Sequence, residues 1–520
     1  MSEFGRPQEW VGAWSEKRTA LTPDRTGLVD ATTGERYTYA DLDRRANRTA
    51  RLLCDRGVDE GEAVAVVSRN RPGLVDLFFA TGKTGSVLAP LSHRLAPPEL
   101  GTLLARVDPE LLVVEAPFVE LTGEALEGTD VECPAVTLTD GEAGTSTEGS
   151  FPDAEAYVDA LPADDDPVET ATLAPSDPHL LLHTGGSTGT PKETVLTHRG
   201  IVWNSVNTIT SWGLRDDDVT PMVFPMFHTG GWNVVTVPIW HMGGTVVVAR
   251  EFDPGQVLRV VEDEGGSVLV AVPAVLRAMT EHAAWSDTDL STLRVVKSGG
   301  GPCRQAVMEA WWDRGVDLSQ GYGLTECGPN NFAMPEGWPR EQADSVGRPA
   351  MHVDARVVDD GIPVDRGEVG ELELRSPHAA AGYLDAPEET AATFGDDGWV
   401  ATGDLARVDD EGFYHVEGRK KHMFVSGGEN VYPSEVEDAI ADHPAVDEVI
   451  VVAVPDDQWG RVGRAVVEGD TDLTVDELRD FLDGRLARFK HPRSLAFVET
   501  MPTSGPSKLD RDAVVERFGE

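Results

Sequence analysis

The run HTGGSTGTPKETVLTH, residues 183–198, gathers the groups that grip a phosphate. Gly185, Gly186 and Gly189 leave backbone N–H groups free to point at one anion. Thr184, Ser187, Thr188 and Thr190 add hydroxyl donors, and Lys192 adds charge. A glycine turn alone needs neither so many hydroxyls nor a lysine. This is not a Walker A loop, because Pro191 precedes the lysine and Glu193 follows it. Lysine is scarce: only eight of the 44 basic side chains are lysine, so each survivor is a candidate for chemistry. Lys508, in MPTSGPSKLDR, is one of them.

Further segments follow in order. FPMFHTGGWN spans 224–233, SGGGP spans 298–302 directly after LRVVK, and QGYGLTECGP spans 320–329. WVATGDLARVDDEGFYHVEGRKK covers 399–421, and SGGEN covers 426–430. With the Gly-rich run and the Lys508 segment, this ordered set resembles the adenylate-forming (AMP-binding) superfamily, in its acyl-CoA synthetase or fatty-acid–CoA ligase branch. The resemblance runs from about residue 20 to the end.

The resemblance implies a two-step reaction. A carboxylate attacks the α-phosphate of ATP, and the thiol of coenzyme A then displaces AMP. It implies that Thr184, Gly185, Gly186, Ser187, Thr188, Gly189, Thr190 and Lys192 hold the β- and γ-phosphates. Gly300 and Gly301 would lie against adenine, and Tyr322, with Gly323 beside it, would stack on the base. Thr325 would donate to the α-phosphate and Glu326 would hold Mg²⁺, a hard cation suited to carboxylate and phosphate oxygens. Asp404 would accept the ribose hydroxyls and Arg419 would add a cation beside them. Lys508 would be the catalytic lysine, although Ser507 stands where the family usually has glycine. Lys421 matches the hinge; the Lys420–Lys421 pair also reads as a plain solvated basic pair. His228, Gly230, Gly231 and Trp232 would shape the acyl pocket, with His228 equally readable as a core histidine. Ser426, Gly427 and Gly428 would line the coenzyme A path. The acid expected is a medium- or long-chain fatty acid. The alternatives are an aryl or o-succinylbenzoyl acid, transfer to a carrier protein, and a catalytically silent nucleotide-binding protein.

These residues need a scaffold, and the texture of the chain supplies one. Runs such as AVAVVS, SVLAPL, LLVVE, LLLHT, GTVVVA and SVLVAVP alternate with helix-length amphipathic stretches. That pattern predicts an α/β protein with a large N-terminal domain of mixed and largely parallel sheets. YTYADLDRRANRTARLLCDRG reads as a helix over 37–57. Residues 139–178 read as an acidic linker or insertion, and about 340–417 as a β-rich subdomain. We expect an N-terminal AMP-binding domain at 1–417, a hinge at 418–421, and a small mobile α+β domain at 422–520. In that last part, PSEVEDAIADHP and VDELRDFLDGRLARF read as helices and DEVIVVAVPD as a strand.

The composition narrows the class. Ninety acidic against 44 basic side chains leave a net charge of −46, which repels nucleic-acid backbones and anionic membranes. The acids are spread along the chain, the pattern of a surface solvated in brine, as in salt-accumulating halophiles. The four cysteines form no C-x-x-C pair, and a reduced cytoplasm suits them. MSEFGRPQEW lacks the basic and apolar stretches of a signal peptide, and the apolar stretch 233–249 is broken by His241 and two glycines. The partners expected are small molecules (the acid, ATP and coenzyme A), with the chain a monomer or a homodimer.

Overall fold

Short, fully buried Val/Leu strands form the spine of the N-terminal part. Ala63–Val67, Val87–Leu91 and Leu111–Glu115 are buried at every residue. They pair in parallel, as expected of a sheet covered on both faces. The computed structural model describes residues 10–139, 151, 154–171, 173–184, 192–426, 429–456, 459–469, 472–503 and 509–519. The strands lie in an eight-stranded sheet, which runs in order Gly382–Tyr383, Lys192–Thr197, Pro178–Thr184, Val87–Leu91, Ala63–Val67, Leu111–Glu115, Ala135–Leu138 and Glu155–Ala156. A four-stranded sheet and a three-stranded parallel sheet stand beside it. In the latter, Val295–Ser298 lies between Val268–Ala271 and Leu318–Gln320, so the SGGGP and QGYG segments leave adjacent strand ends.

The helix expected over 37–57 spans Tyr39–Asp55. Arg36–Thr38 instead pairs antiparallel with Thr26–Asp30. Thr38 then caps the helix: its hydroxyl accepts from Asp41 N at 3.1 Å, and the Asp41 carboxylate accepts from Thr38 N at 2.9 Å. The apolar stretch 233–249 divides into a helix, Thr236–Met242, and a strand, Thr245–Val248. Among the described residues no helix is long and apolar enough to cross a membrane. The acidic stretch 139–178 is not all linker. Its Glu155–Ala156 extends the large sheet, and the buried Tyr157 hydroxyl shares a 2.5 Å hydrogen bond with Thr49 Oγ1.

Beyond Arg340 the β-rich texture becomes a five-stranded antiparallel sheet in the order Ile362–Pro363, Asp354–Asp359, Gly370–Arg375, Val400–Val408, Tyr414–Arg419. A second five-stranded sheet follows, built around the long hairpin Val446–Asp456 and Gly460–Gly469. Helices Pro433–Ala441, Val475–Leu482 and Arg511–Phe518 accompany it. The helix expected from VDELRDFLDGRLARF ends at Leu482, because Asp483 turns to extended geometry (φ −63°, ψ 124°) before Gly484. The whole is a mixed α/β protein with a large N-terminal and a small C-terminal part.

Candidate active site

The register of one hairpin sets the first cluster. Pro178–Thr184 and Lys192–Thr197 pair antiparallel with Thr184 opposite Lys192, so both flanks of the Gly-rich run meet at its base. Thr184 Oγ1 donates to the Lys192 carbonyl at 3.4 Å. Gly185, Gly186, Ser187, Thr188, Gly189 and Thr190 lie outside the described residues. The Lys192 ammonium stands 5.3 Å from the centre of the Tyr383 ring and 3.6 Å from Glu389 Oε1. The Tyr383 hydroxyl donates to Glu326 Oε1 at 2.9 Å. Burial and the neighbouring Glu326 push the Tyr383 phenol far above its usual range, so it stays a donor. One tyrosine therefore joins Lys192 to Glu326.

Glu326 belongs to a single 3₁₀ turn, Thr325–Cys327, whose carbonyl at Glu326 accepts from Ala380 N at 2.8 Å. The loop that carries it starts at Tyr322, whose hydroxyl donates to Asp404 Oδ2. Asp404 Oδ1 meets Arg419 Nε at 2.8 Å, because the two residues are register partners on neighbouring strands. Arg419 also donates to the Thr402 carbonyl at 3.0 Å. Burial, then the charge of Asp404, raises the Tyr322 phenol well above its usual value. Gly323 is packed so closely that a Cβ would fall 1.9 Å from the Pro329 carbonyl oxygen, which fixes glycine there. Gly300 and Gly301 follow the strand end at Ser298, where Gly321 N donates to the Ser298 carbonyl at 2.7 Å. Thus the 320–329 loop is the hub between the Lys192–Glu326 cluster and the Asp404–Arg419 cluster.

The 224–233 segment reaches the same place by another side. His228, half-buried, lies 5.6 Å ring to ring from His183, the residue before Thr184. Phe227 packs on both rings. Burial pulls the His183 imidazole down to about 4, so it is neutral near pH 7. Gly230 and Gly231 are buried in the turn Thr229–Gly231; a Cβ on Gly231 would sit 2.6 Å from the Pro225 carbonyl oxygen. Trp232, expected to shape the floor or wall of the acyl pocket, lies beneath the segment. Its ring is wholly buried, stacks on Phe78 at 4.9 Å, and donates from Nε1 to the Met226 carbonyl at 2.5 Å. It is a core residue that holds the segment from beneath.

In the C-terminal part, Ser426 is buried at the end of Phe424–Ser426, opposite Gly460. Gly427, Gly428 and Lys508 lie outside the described residues. The Lys420 ammonium reaches Glu371 at 2.7 Å, on the β-rich sheet. The Lys421 ammonium reaches Asp512 at 3.0 Å, on the last helix. Arg277 and Arg304 both hold Glu448, at 3.3 and 3.0 Å, and so join the large part to the small one.

Three contributors escaped the sequence reading: Tyr383, Glu389 and His183. Tyr383 sits in a two-residue strand and Glu389 in a seven-residue helix, too short for periodicity to announce. His183 was visible as the neighbour of Thr184, but only the fold shows it touching the 224–233 segment.

Comparison with known proteins identifies the family. The profile of the AMP-binding enzyme family matches residues 15–384, and that of the AMP-binding enzyme C-terminal domain matches residues 435–508. A feruloyl-CoA synthase from an Amycolatopsis species is 36% identical over 512 residues, covering 98% of this chain and 99% of that protein. The long-chain-fatty-acid–CoA ligase FadD13 of Mycobacterium tuberculosis is 30% identical, with 98% of each chain covered. The crystal structure of ATP-bound MatB from Rhodopseudomonas palustris superposes with a TM-score of 0.87 at 28% identity, covering 98% of this chain and 99% of that one.

Proposed function

The chain belongs to the AMP-binding enzyme family, and we propose that its site activates an apolar carboxylic acid, an aryl-substituted acid ahead of a medium- or long-chain fatty acid. The class is an AMP-forming acid–thiol ligase, with ATP and coenzyme A as substrates. The aryl preference rests on the likeness to a feruloyl-CoA synthase at 36% identity, against 30% for the fatty-acid ligase.

The observation that carries the reading is the Tyr383 link between Lys192 and Glu326, on a loop whose Tyr322 hydroxyl donates to Asp404. On this reading Lys192 and the hydroxyl-lined run from Thr184 to Thr190 bind the β- and γ-phosphates. Gly300, Gly301, Tyr322 and Gly323 receive the base, and Thr325 donates to the α-phosphate. Asp404 takes the ribose hydroxyls, oriented by the Tyr322 hydroxyl and by Arg419. The substrate carboxylate attacks the α-phosphorus and pyrophosphate leaves; Lys508 neutralises the charge that builds on the oxygens. The thiolate of coenzyme A then attacks the acyl carbonyl and AMP departs, which succeeds because AMP is a far better leaving group than oxide. Ser426, Gly427 and Gly428 line the route of the thiol arm, and His228 and its neighbours bound the acyl end. Neutral His183 closes the wall between phosphate and acyl ends without adding a charge.

Mg²⁺ fits this donor set. Glu326 gives a single carboxylate, oriented by Tyr383 and flanked by Thr325, which suits an ion bound mainly by phosphate oxygens. When bound it would offset negative charge on the phosphates.

We divide the chain into an AMP-binding domain at 1–417, a hinge at 418–421 and a mobile domain at 422–520. Strand Tyr414–Arg419 closes the first antiparallel sheet, and Phe424–Ser426 opens the next. We further propose a cytoplasmic, salt-adapted enzyme, supported by the net charge of −46 and by four free cysteines. Its melting temperature rises with added salt as the Debye length falls from about 10 Å at 0.1 M to about 3 Å at 1 M. A scanning-calorimetry series that is flat or falling between those salt concentrations removes the salt adaptation. The function itself is tested by AMP release with coenzyme A over a panel of straight-chain acids from two to eighteen carbons together with cinnamic, benzoic and indolic acids. Aryl acids give the highest kcat/KM. Highest turnover on a long alkyl acid reverses the order, and no turnover on any acid removes the reading.

A further inference from the structure

The acid beside Lys192 has no part in the steps described above. Glu389 lies on the helix Pro387–Thr393, which follows directly from the short strand Gly382–Tyr383. That strand pairs with the one that Lys192 begins: Tyr383 is opposite Thr194, and Leu384 N donates to the Glu193 carbonyl at 2.9 Å. Thr390 Oγ1 accepts from Tyr383 N at 3.0 Å and so fixes the helix against the strand. The neighbouring residue, Glu389, is thereby held with its carboxylate 3.6 Å from the Lys192 ammonium. Glu193 anchors the same strand from the other face through a 3.1 Å ion pair with Arg106. The lysine is largely shielded, whereas Glu389 is 44% exposed, so the acid can leave the lysine for solvent at small cost.

We propose that Glu389 competes with the phosphates of ATP for Lys192 and thereby sets the affinity for the nucleotide. The inference rests on Lys192 being a phosphate ligand. A polyphosphate brings several negative oxygens to a cation that the carboxylate meets with one. The phosphates therefore win, and the affinity that remains is lower by the strength of the Glu389 contact. Glu389 touches no reacting atom, so it tunes binding and leaves the chemical steps alone.

Calorimetric titration of ATP at fixed salt, on wild type, Glu389→Gln, Glu388→Gln, Lys192→Met and the Lys192→Met/Glu389→Gln double variant, tests this. Glu389→Gln tightens ATP about threefold, the worth of one half-exposed ion pair, and lowers KM for ATP with kcat unchanged. Glu388→Gln removes the same charge from the same helix, farther from Lys192, and leaves ATP affinity as it was. In the Lys192→Met background the Glu389 change has no effect. Equal gains from Glu388→Gln and Glu389→Gln would mean that only the general negative field is felt, which overturns the proposal, as does a Glu389 variant without effect. If Lys192→Met itself leaves ATP affinity untouched, the phosphate role of Lys192 has failed and the proposal falls with it.

Discussion

Lys508→Ala lowers carboxylate-dependent ATP–pyrophosphate exchange by about 10²–10³-fold, the usual loss when a donor aimed at a developing negative charge is removed. Transfer to coenzyme A from pre-made acyl-adenylate stays close to wild type, because on the proposed turning of the C-terminal part about 418–421 the lysine has left the site before that step. The residues on either side of 504–508 are firmly held: Thr503 and Leu509 form an antiparallel bridge, and Arg511 pairs with Glu437 at 2.5 Å and donates to the Val451 carbonyl at 2.9 Å. Parallel loss of both half-reactions would show that Lys508 is not confined to the first step.

Acid weakens the fold through histidines that have no means of holding a proton. His179 and His198 stack at 4.6 Å in the core, and neither ring finds a hydrogen-bond partner among the described residues; His378 is equally isolated. Burial pulls His198 and His378 down to about 3 and His179 well below its ordinary 6.5. Since the folded values are depressed, the unfolded chain takes up these protons first. The stability is fully present above pH 6.5 and drains away as pH falls toward 3. Each group shifts the balance by about 1.4 kcal/mol per pH unit over that window, about 2 kcal/mol by pH 5. Three such groups amount to a large share of a typical 5–15 kcal/mol of stability. Urea unfolding from pH 8 to pH 5 reads this directly. His198→Phe keeps a ring against His179 and flattens the pH dependence by one proton's worth. Wild-type and variant curves that run parallel over this range would sink the account.

What could be read from the residues, and what could not, divides along a physical line. A motif in which one short segment carries several glycines, hydroxyls and a scarce lysine, such as 183–198, announces itself from its residues, whereas TGD at 402–404 gained its meaning only from the resemblance to a family. Buried parallel strands are equally plain from their apolar runs. Contacts between segments far apart in sequence are not. Tyr383 meets Glu326, 57 residues away, only because a two-residue strand joins the sheet edge. Trp232 was placed by resemblance at the floor or wall of a pocket, and only the fold shows that its ring stacks on Phe78 within the core. The Asp404–Arg419 pair needed the register of two strands whose bulge no pattern of residue types reveals. The acidic stretch 139–178 concealed Tyr157, one aromatic among solvating residues, which pins it to the helix carrying Thr49.

Lys420 and Lys421 are consecutive, yet one is tied to Glu371 in the five-stranded antiparallel sheet of the large part and the other to Asp512 in the final helix. The charge ties of the chain therefore pass from the large part to the small one across a single peptide bond. Were the proposed hinge at 418–421 to turn, each lysine would stay anchored to its own part, while the pairs of Glu448 with Arg277 and Arg304 would have to open.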